Sequence, residues 1–308
     1  MLPTKLLLKE QDSPKLKMKA LPRKIKTQTI KNRSVNHAIY WVLPGLFLLA
    51  SCMRFLLSVD YSETSTQKVA DRHLSNEEYA ARLEADGWPV KELNTAVDHQ
   101  YLDDEEKNLV LAHNLVRYDP EKFARLYVTE YITYFEGREF HYPGGDVIMK
   151  TEEGAEPAKE LYWELMNTEP LGILFPSEGL HKSAVSHADY LVRNETRGHA
   201  GQGGLRARIE REGEWEQQIG ENIAYGSFSP HDALMYMLIN DKVEDRTHRQ
   251  NILSPGFRFI GVAMDYHPLF PDGEIYVINY AFYFRESQSG NRRNQQIRSR
   301  TRPIHVWD

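Results

Sequence analysis

Thr247-His248-Arg249-Gln250-Asn251-Ile252-Leu253-Ser254-Pro255-Gly256-Phe257, running on to Ile260-Gly261-Val262, joins a polar, histidine-bearing segment to a strand. Phe257 to Tyr266 reads as that strand. Asp272-Gly273 marks a turn. Glu274 to Arg285 reads as its partner, with Tyr276, Ile278, Tyr280, Phe282 and Phe284 in alternation. A closing pair of strands behind a series of helices predicts an α+β fold, or α-β-α layering if helices cover both sheet faces.

The helices are announced by their caps. Ser75-Asn76-Glu77-Glu78 has the form of a capping box and opens a short helix that ends before Gly87. Asp103 to Tyr118 has acidic residues in its first turn and Leu109, Ala112, His113 and Val116 at helical spacing. Asp119-Pro120 is an N-cap followed by a first-turn proline, so another helix starts there. Ser177-Glu178 starts one with Leu180, Ala184, His187, Ala188 and Leu191 on one face, and Ser229-Pro230 caps one more through Ala233, Met237 and Leu238. Residues 136–160 are Gly-rich, charged and irregular, and are expected to be a loop or insertion.

Two further segments stand out beside the opening one. Gly198-His199-Ala200-Gly201-Gln202-Gly203-Gly204 sets a histidine on bare backbone, where its ring can face a cleft. Gly220-Glu221-Asn222-Ile223-Ala224-Tyr225-Gly226 sets a carboxylate before an apolar, strand-like stretch, where an unpaired charge is costly to bury. His-Glu-x-x-His, Gly-x-Ser-x-Gly and Walker-type sequences are absent.

Taken together and in this order, the three segments resemble the bacterial branch of the CAP superfamily, also called SCP or cysteine-rich secretory protein domains. That branch carries Gly-His-x-Gly, then Gly-Glu-Asn-Ile, then His-Arg-x-Asn-Ile-Leu-x-Pro-x-Phe-x-x-x-Gly-Val. Leu111 to Pro120 is similar to the family's opening helix, and the resemblance covers roughly residues 105–285. It implies an α-β-α sandwich with a central antiparallel sheet and a long surface cleft holding two histidines and two acids. His199, Glu221 and His248 match three of these. The fourth is usually a Glu late in the helix before the second histidine. Asp241 is the candidate here, with Asn240 and Glu244 as rivals, and Asp is one methylene shorter than the family's Glu. Arg249 and Asn251 are expected to be scaffold.

The leader carries a second signal. Residues 1–51 hold ten Lys or Arg against Glu10 and Asp12, a charge of +8; the whole chain is −6, which leaves −14 on residues 52–308. So acidic a body argues against general nucleic-acid binding, which needs a basic face. Ala38 to Ala50 is an apolar run too short to span a bilayer, which takes about 20 residues. Leu49-Ala50-Ser51-Cys52 follows and resembles the bacterial lipobox, and Cys52 is the single cysteine of the chain. The expected division is a lipoprotein-type signal over 1–51, a tether and short helical lead-in over 52–104, the CAP/SCP domain over 105–285, and a basic disordered tail over 286–308. An uncleaved signal anchor or plain secretion are the alternatives to lipid attachment at Cys52.

Two neutral imidazoles make a divalent-metal site, and His199 and His248 are the candidate ligands. Nitrogen ligands favour Zn²⁺ over Ca²⁺. Three functions remain open on the sequence. The first is a non-enzymatic envelope protein, held to a membrane through Cys52, that binds a lipid or glycan in the cleft. The second is a metal-dependent hydrolase of peptide or cell-wall material. The third is an interaction module with a vestigial site.

Overall fold

A computed structural model describes residues 74–142, 148–226, 229–269 and 273–287. The signal segment, Cys52, the tether to residue 73, Asp272 and the tail from residue 288 lie outside the described residues. The helices begin where their caps lie. In α1 (Asn76–Ala85) Ser75 and Glu78 exchange hydrogen bonds, and in α3 (Asp104–Tyr118) Asp103 and Glu106 do the same. The short α2 (Val90–Leu93) lies between them. Asp119 caps α4 (Pro120–Phe123), which continues through a π turn (Ala124–Val128) into α5 (Thr129–Thr133).

Residues 136–160 depart from the loop expected of them. Phe135–Glu136 (β1), Glu139–His141 (β2) and Ile148–Lys150 (β3) form a small antiparallel sheet, and α6 (Glu156–Leu165) follows. The β1–β2 turn is the pair Gly137-Arg138, with Gly137 at φ +60°. Strands of two or three residues are too short to show a periodicity, so charge and glycine dominate the reading of that stretch.

The main sheet has the order β4 (Phe175–Pro176), β6 (Phe259–Tyr266), β7 (Glu274–Glu286), β5 (Gly213–Gly226). Its three long strands are antiparallel, while β4 joins β6 by a short parallel bridge. The remaining helices are α7 (Glu178–Arg193), α8 (Gly204–Glu212), α9 (Pro230–Ile239) and α10 (Thr247–Ile252).

The pleat sorts side chains between two helical layers. Ile260, Val262, Tyr276, Ile278 and Tyr280 join the core built with α3 and α9. Ile275, Val277 and Ala263 face the other way, onto Ala184, Ala188 and Leu191 of α7. The sheet is thus flanked by helices on both faces, the α-β-α arrangement expected. The alternation breaks at Phe284, which packs with Leu180 and Ile209 of the α7–α8 layer. A register shift between Glu216 and Ile219 lies opposite this part of β7. α7 approaches β6 so closely that a Cβ on Gly261 would sit 2.1 Å from the Leu180 carbonyl carbon.

Leu83, Trp88, Val90 and Leu93 share the core of Leu109, Leu111 and Leu115, because α3 is buried on more than one face and needs cover from the lead-in. Among the described residues, no helix is long and apolar enough to cross a membrane.

Candidate functional site

Glu221 lies mid-strand in β5 rather than ahead of a strand, and its side chain is 2% exposed. A carboxylate so placed needs a counter-charge. Arg208 of α8 supplies it, with Nη2 donating to both carboxylate oxygens at 2.7 Å. The Asn279 amide of β7, turned with its nitrogen toward the carboxylate, donates to Oε2 at 3.0 Å while its oxygen accepts from Ser183 Oγ and the Ala184 amide. His199 Nδ1 lies 2.9 Å from Oε1. Burial pushes the Glu221 pKa up, but the His199 hydrogen bond and the charge and hydrogen bonds of Arg208 outweigh it and hold the group below its ordinary value. Glu221 is therefore a carboxylate, and every partner around it is a donor.

The glycine-rich loop around His199 is held by its own carbonyls. Arg208 Nη1 donates to the oxygens of His199 and Gly201, at 3.2 and 3.1 Å. The Gly198 amide donates to the Tyr225 hydroxyl at 2.8 Å, and the buried His187 donates from Nε2 to the Gly198 oxygen at 3.0 Å. Gly198, Gly201 and Gly203 all have φ near +90° to +110°, a conformation that glycine adopts without strain. The His199 side chain stands 56% exposed. No described residue engages its Nε2.

His248 sits in the first turn of α10. Asn240, in the left-handed conformation at the end of α9, reaches across to it. Asn240 Oδ1 accepts from the His248 amide at 3.0 Å, and Asn240 Nδ2 lies 3.1 Å from His248 Nδ1. The His248 carbonyl accepts from Asn222 Nδ2, and Asn251 Nδ2 donates to Asn222 Oδ1. Beneath, the Tyr280 hydroxyl lies 2.9 Å from Nε2 of the buried His113. Burial, reinforced electrostatically by the nearby His199 ring, pushes the His248 pKa down to about 4. Arg117 anchors the turn after α10 by donating to the carbonyls of Ile252, Ser254 and Phe257.

The structure thus brings His199 and Glu221 into contact and sets His248 beside them. Asp241 does not join them. Its carboxylate accepts from the Glu152 and Glu153 amides at 2.9 Å and pins the turn between β3 and α6. Asn240, its neighbour, takes the place by His248, because the left-handed cap turns that side chain back toward α10. Glu244 is exposed. Arg249 is fully buried, paired with Glu160 and Glu164 and donating to three backbone carbonyls, and Asn251 holds β5 to α10.

Residues 167–280 match the model of the Cysteine-rich secretory protein family, CAP. The match spans His199, Arg208, Glu221, Asn240, His248 and Asn279, and leaves out α1 to α6 with His113 and Arg117. Among curated proteins, none matches the chain. Of solved structures, an outer surface protein from Borrelia burgdorferi is similar over 41% of this chain and 92% of its own, at 21% identity and TM-score 0.31. An extracellular protein containing a SCP domain from Bacillus anthracis is similar over 40% of this chain and 37% of its own, at 21% identity and TM-score 0.27. Venom allergen-like protein 4 of Schistosoma mansoni is similar over 58% and 89%, at 14% identity and TM-score 0.33.

The donor set at this site does not fit the Zn²⁺ expected at His199 and His248. Among the described residues, no three His, Cys, Asp or Glu side chains are placed to hold a metal ion. Nδ1 of His199 faces a carboxylate, which leaves its Nε2 a lone pair. Nδ1 of His248 faces an amide nitrogen instead, and an imidazole that accepts there carries its proton on Nε2.

A cavity of about 290 Å³ opens apart from this site, among Tyr79, Tyr127, Tyr131, Tyr134, His231 and Asp232. The hydroxyls of Tyr131, Tyr142 and Ser229 converge on the Asp232 carboxylate. None of its lining residues belongs to the His199–Glu221–His248 group.

Proposed function

We propose that this is an exported, lipid-anchored envelope protein whose cleft binds a glycan without turning it over. The observation that carries the binding reading is the state of Glu221. Its two oxygens are taken by Arg208, Asn279 and His199. A carboxylate tied in that way, with its pKa held down, orients His199 and has no proton to give as a general acid. The exposed His199 ring and the half-buried His248 beside it present polar ring nitrogens, which suit hydroxyl groups better than an acyl chain. Lipid is the competing occupant.

Binding is tested by recording amide and imidazole NMR shifts of the protein against soluble peptidoglycan fragments and, separately, against phosphatidylglycerol vesicles. Shifts at His199 and His248 with the fragments alone support the reading. Shifts with vesicles alone refute it in favour of lipid. Hydrolysis of the fragments that is lost in Glu221→Gln, with the fold intact, refutes the non-enzymatic part.

The anchor rests on Leu49-Ala50-Ser51-Cys52 after a 13-residue apolar run. Two acyl chains on one cysteine suffice for stable membrane attachment, at about 0.8 kcal/mol per buried methylene. Metabolic labelling with a fatty acid should mark the wild type and not Cys52→Ala. An unlabelled wild type refutes the anchor.

A further inference from the structure

We propose that Asn240 fixes the proton of His248 on Nε2, and that the cleft is thereby a donor–acceptor pair for a neutral hydroxyl group instead of a two-imidazole metal site. The hydroxyl part of this rests on the glycan reading above; the tautomer part stands alone.

The orientation of the Asn240 amide follows from its surroundings. Its oxygen accepts the His248 backbone N–H at 3.0 Å, so its NH₂ group faces His248 Nδ1 at 3.1 Å. An amide NH₂ has no lone pair to offer, so Nδ1 must be the acceptor. Turning the amide over does not relieve this: the NH₂ group would then meet the backbone N–H, donor against donor. In either orientation, a proton on His248 Nδ1 leaves one buried donor without an acceptor. Asn240 itself is 4% exposed, so water does not replace the lost partner.

His199 is fixed in the opposite sense. Glu221, an ionised acceptor held by Arg208, faces its Nδ1 at 2.9 Å. The proton sits on Nδ1 and the lone pair on Nε2. A carboxylate behind each histidine would give two Nε2 lone pairs, the arrangement that metal-bound histidines show, with the other ring nitrogen donating to an acceptor. An Asn behind one of them breaks that symmetry. His199 then accepts and His248 donates. A hydroxyl, which does both, satisfies the pair; a divalent cation satisfies only His199. Binding a metal at His248 requires the proton to move to Nδ1, against Asn240. The cost of one unsatisfied buried donor weakens Zn²⁺ by roughly tenfold to a hundredfold.

Asn240→Asp tests this. The change keeps the side-chain shape, and Asp tolerates the left-handed conformation found at this position. A carboxylate accepts both the backbone N–H and an Nδ1 proton. Long-range ¹H–¹⁵N spectra of the full chain near neutral pH, without metal or ligand, should show His248 protonated on Nε2 in the wild type and on Nδ1 in Asn240→Asp. Zn²⁺ titrated alone by calorimetry should bind Asn240→Asp at least tenfold more tightly than the wild type. The gain should vanish in His199→Ala/Asn240→Asp, which separates the cleft from other histidines. Circular dichroism checks that each variant is folded, and if Asn240→Asp does not fold, the wild-type tautomer still decides. A wild-type His248 protonated on Nδ1, or Zn²⁺ affinity equal in wild type and Asn240→Asp, overturns the proposal. Absence of glycan binding with the expected tautomers removes only the ligand reading.

Discussion

Replacing Arg208 with Met tests whether the Glu221 carboxylate depends on a buried counter-charge. Met fills much of the volume of the arginine stem and removes only its head. The head donates twice to Glu221 at 2.7 Å and twice more to the His199 and Gly201 carbonyls. Arg208 is 1% exposed and the Glu221 side chain 2%, so water takes over neither role. Removing one partner of a buried ion pair typically costs about 3–5 kcal/mol, because the surviving charge stays buried. For a domain of this size each kcal/mol moves Tm by about 2–4 °C, which puts the expected loss near 10 °C. Arg208→Met/Glu221→Gln removes the stranded charge and should recover at least half of the lost stability. The assay is urea unfolding of the wild type, both single variants and the double, read as a double-mutant cycle. A loss below about 1 kcal/mol in Arg208→Met, or a double variant no more stable than that single, refutes the reasoning.

Gly261→Ala should be poorly tolerated, since the new methyl would lie 2.1 and 2.2 Å from backbone atoms of Leu180 and His181; urea unfolding should show a loss of about 3 kcal/mol or failure to fold. Burial of Glu106, with the Asp103 charge adding to it, raises its pKa to about 8, so the unfolded chain loses that proton first and wild-type stability falls as pH rises from about 4.5 to 8. Glu106→Gln lacks this dependence, and its stability relative to wild type should grow across that window toward a ceiling of about 5 kcal/mol. Burial depresses His113 and His248 alike to about 4, so both proton titrations should stay flat in NMR until pH falls below about 5, and stability should decline on acidification from 6.5 toward 4.

The parts of this molecule that sequence reveals are those set by local rules. Ser75, Asp103, Ser177 and Ser229 each cap the helix they announce, because an N-cap side chain satisfies amides two or three residues on and needs no tertiary partner. His199, Glu221 and His248 are legible because each lies in a short segment of unusual composition. Arg208 is not, since Leu205-Arg206-Ala207-Arg208-Ile209-Glu210-Arg211-Glu212 has the look of a solvated charged face, and only the third dimension distinguishes Arg208 from Arg206. His187 hides in the same way among the apolar residues of α7. Asn279 did leave a signal: an amide between Ile278 and Tyr280 in a buried strand requires partners. The choice between Asn240 and Asp241 was also readable in principle. Asn is favoured in the left-handed residue that ends a helix, and a cap at 240 directs that side chain, not the next, toward α10.

The strand order has a consequence for synthesis. β7 is the last strand among the described residues and lies between β6 and β5, so both of those pair with it and not with each other. A ribosome that has delivered β5, α9, α10 and β6 has made two strands that still await their common neighbour. The main sheet closes only when residues 274–286 emerge, and a nascent chain stalled before that point holds Ile223, Ile260 and Val262 without the strand that covers them. The domain is thus translated whole before its sheet is complete, and in that interval a holding chaperone has something to grip.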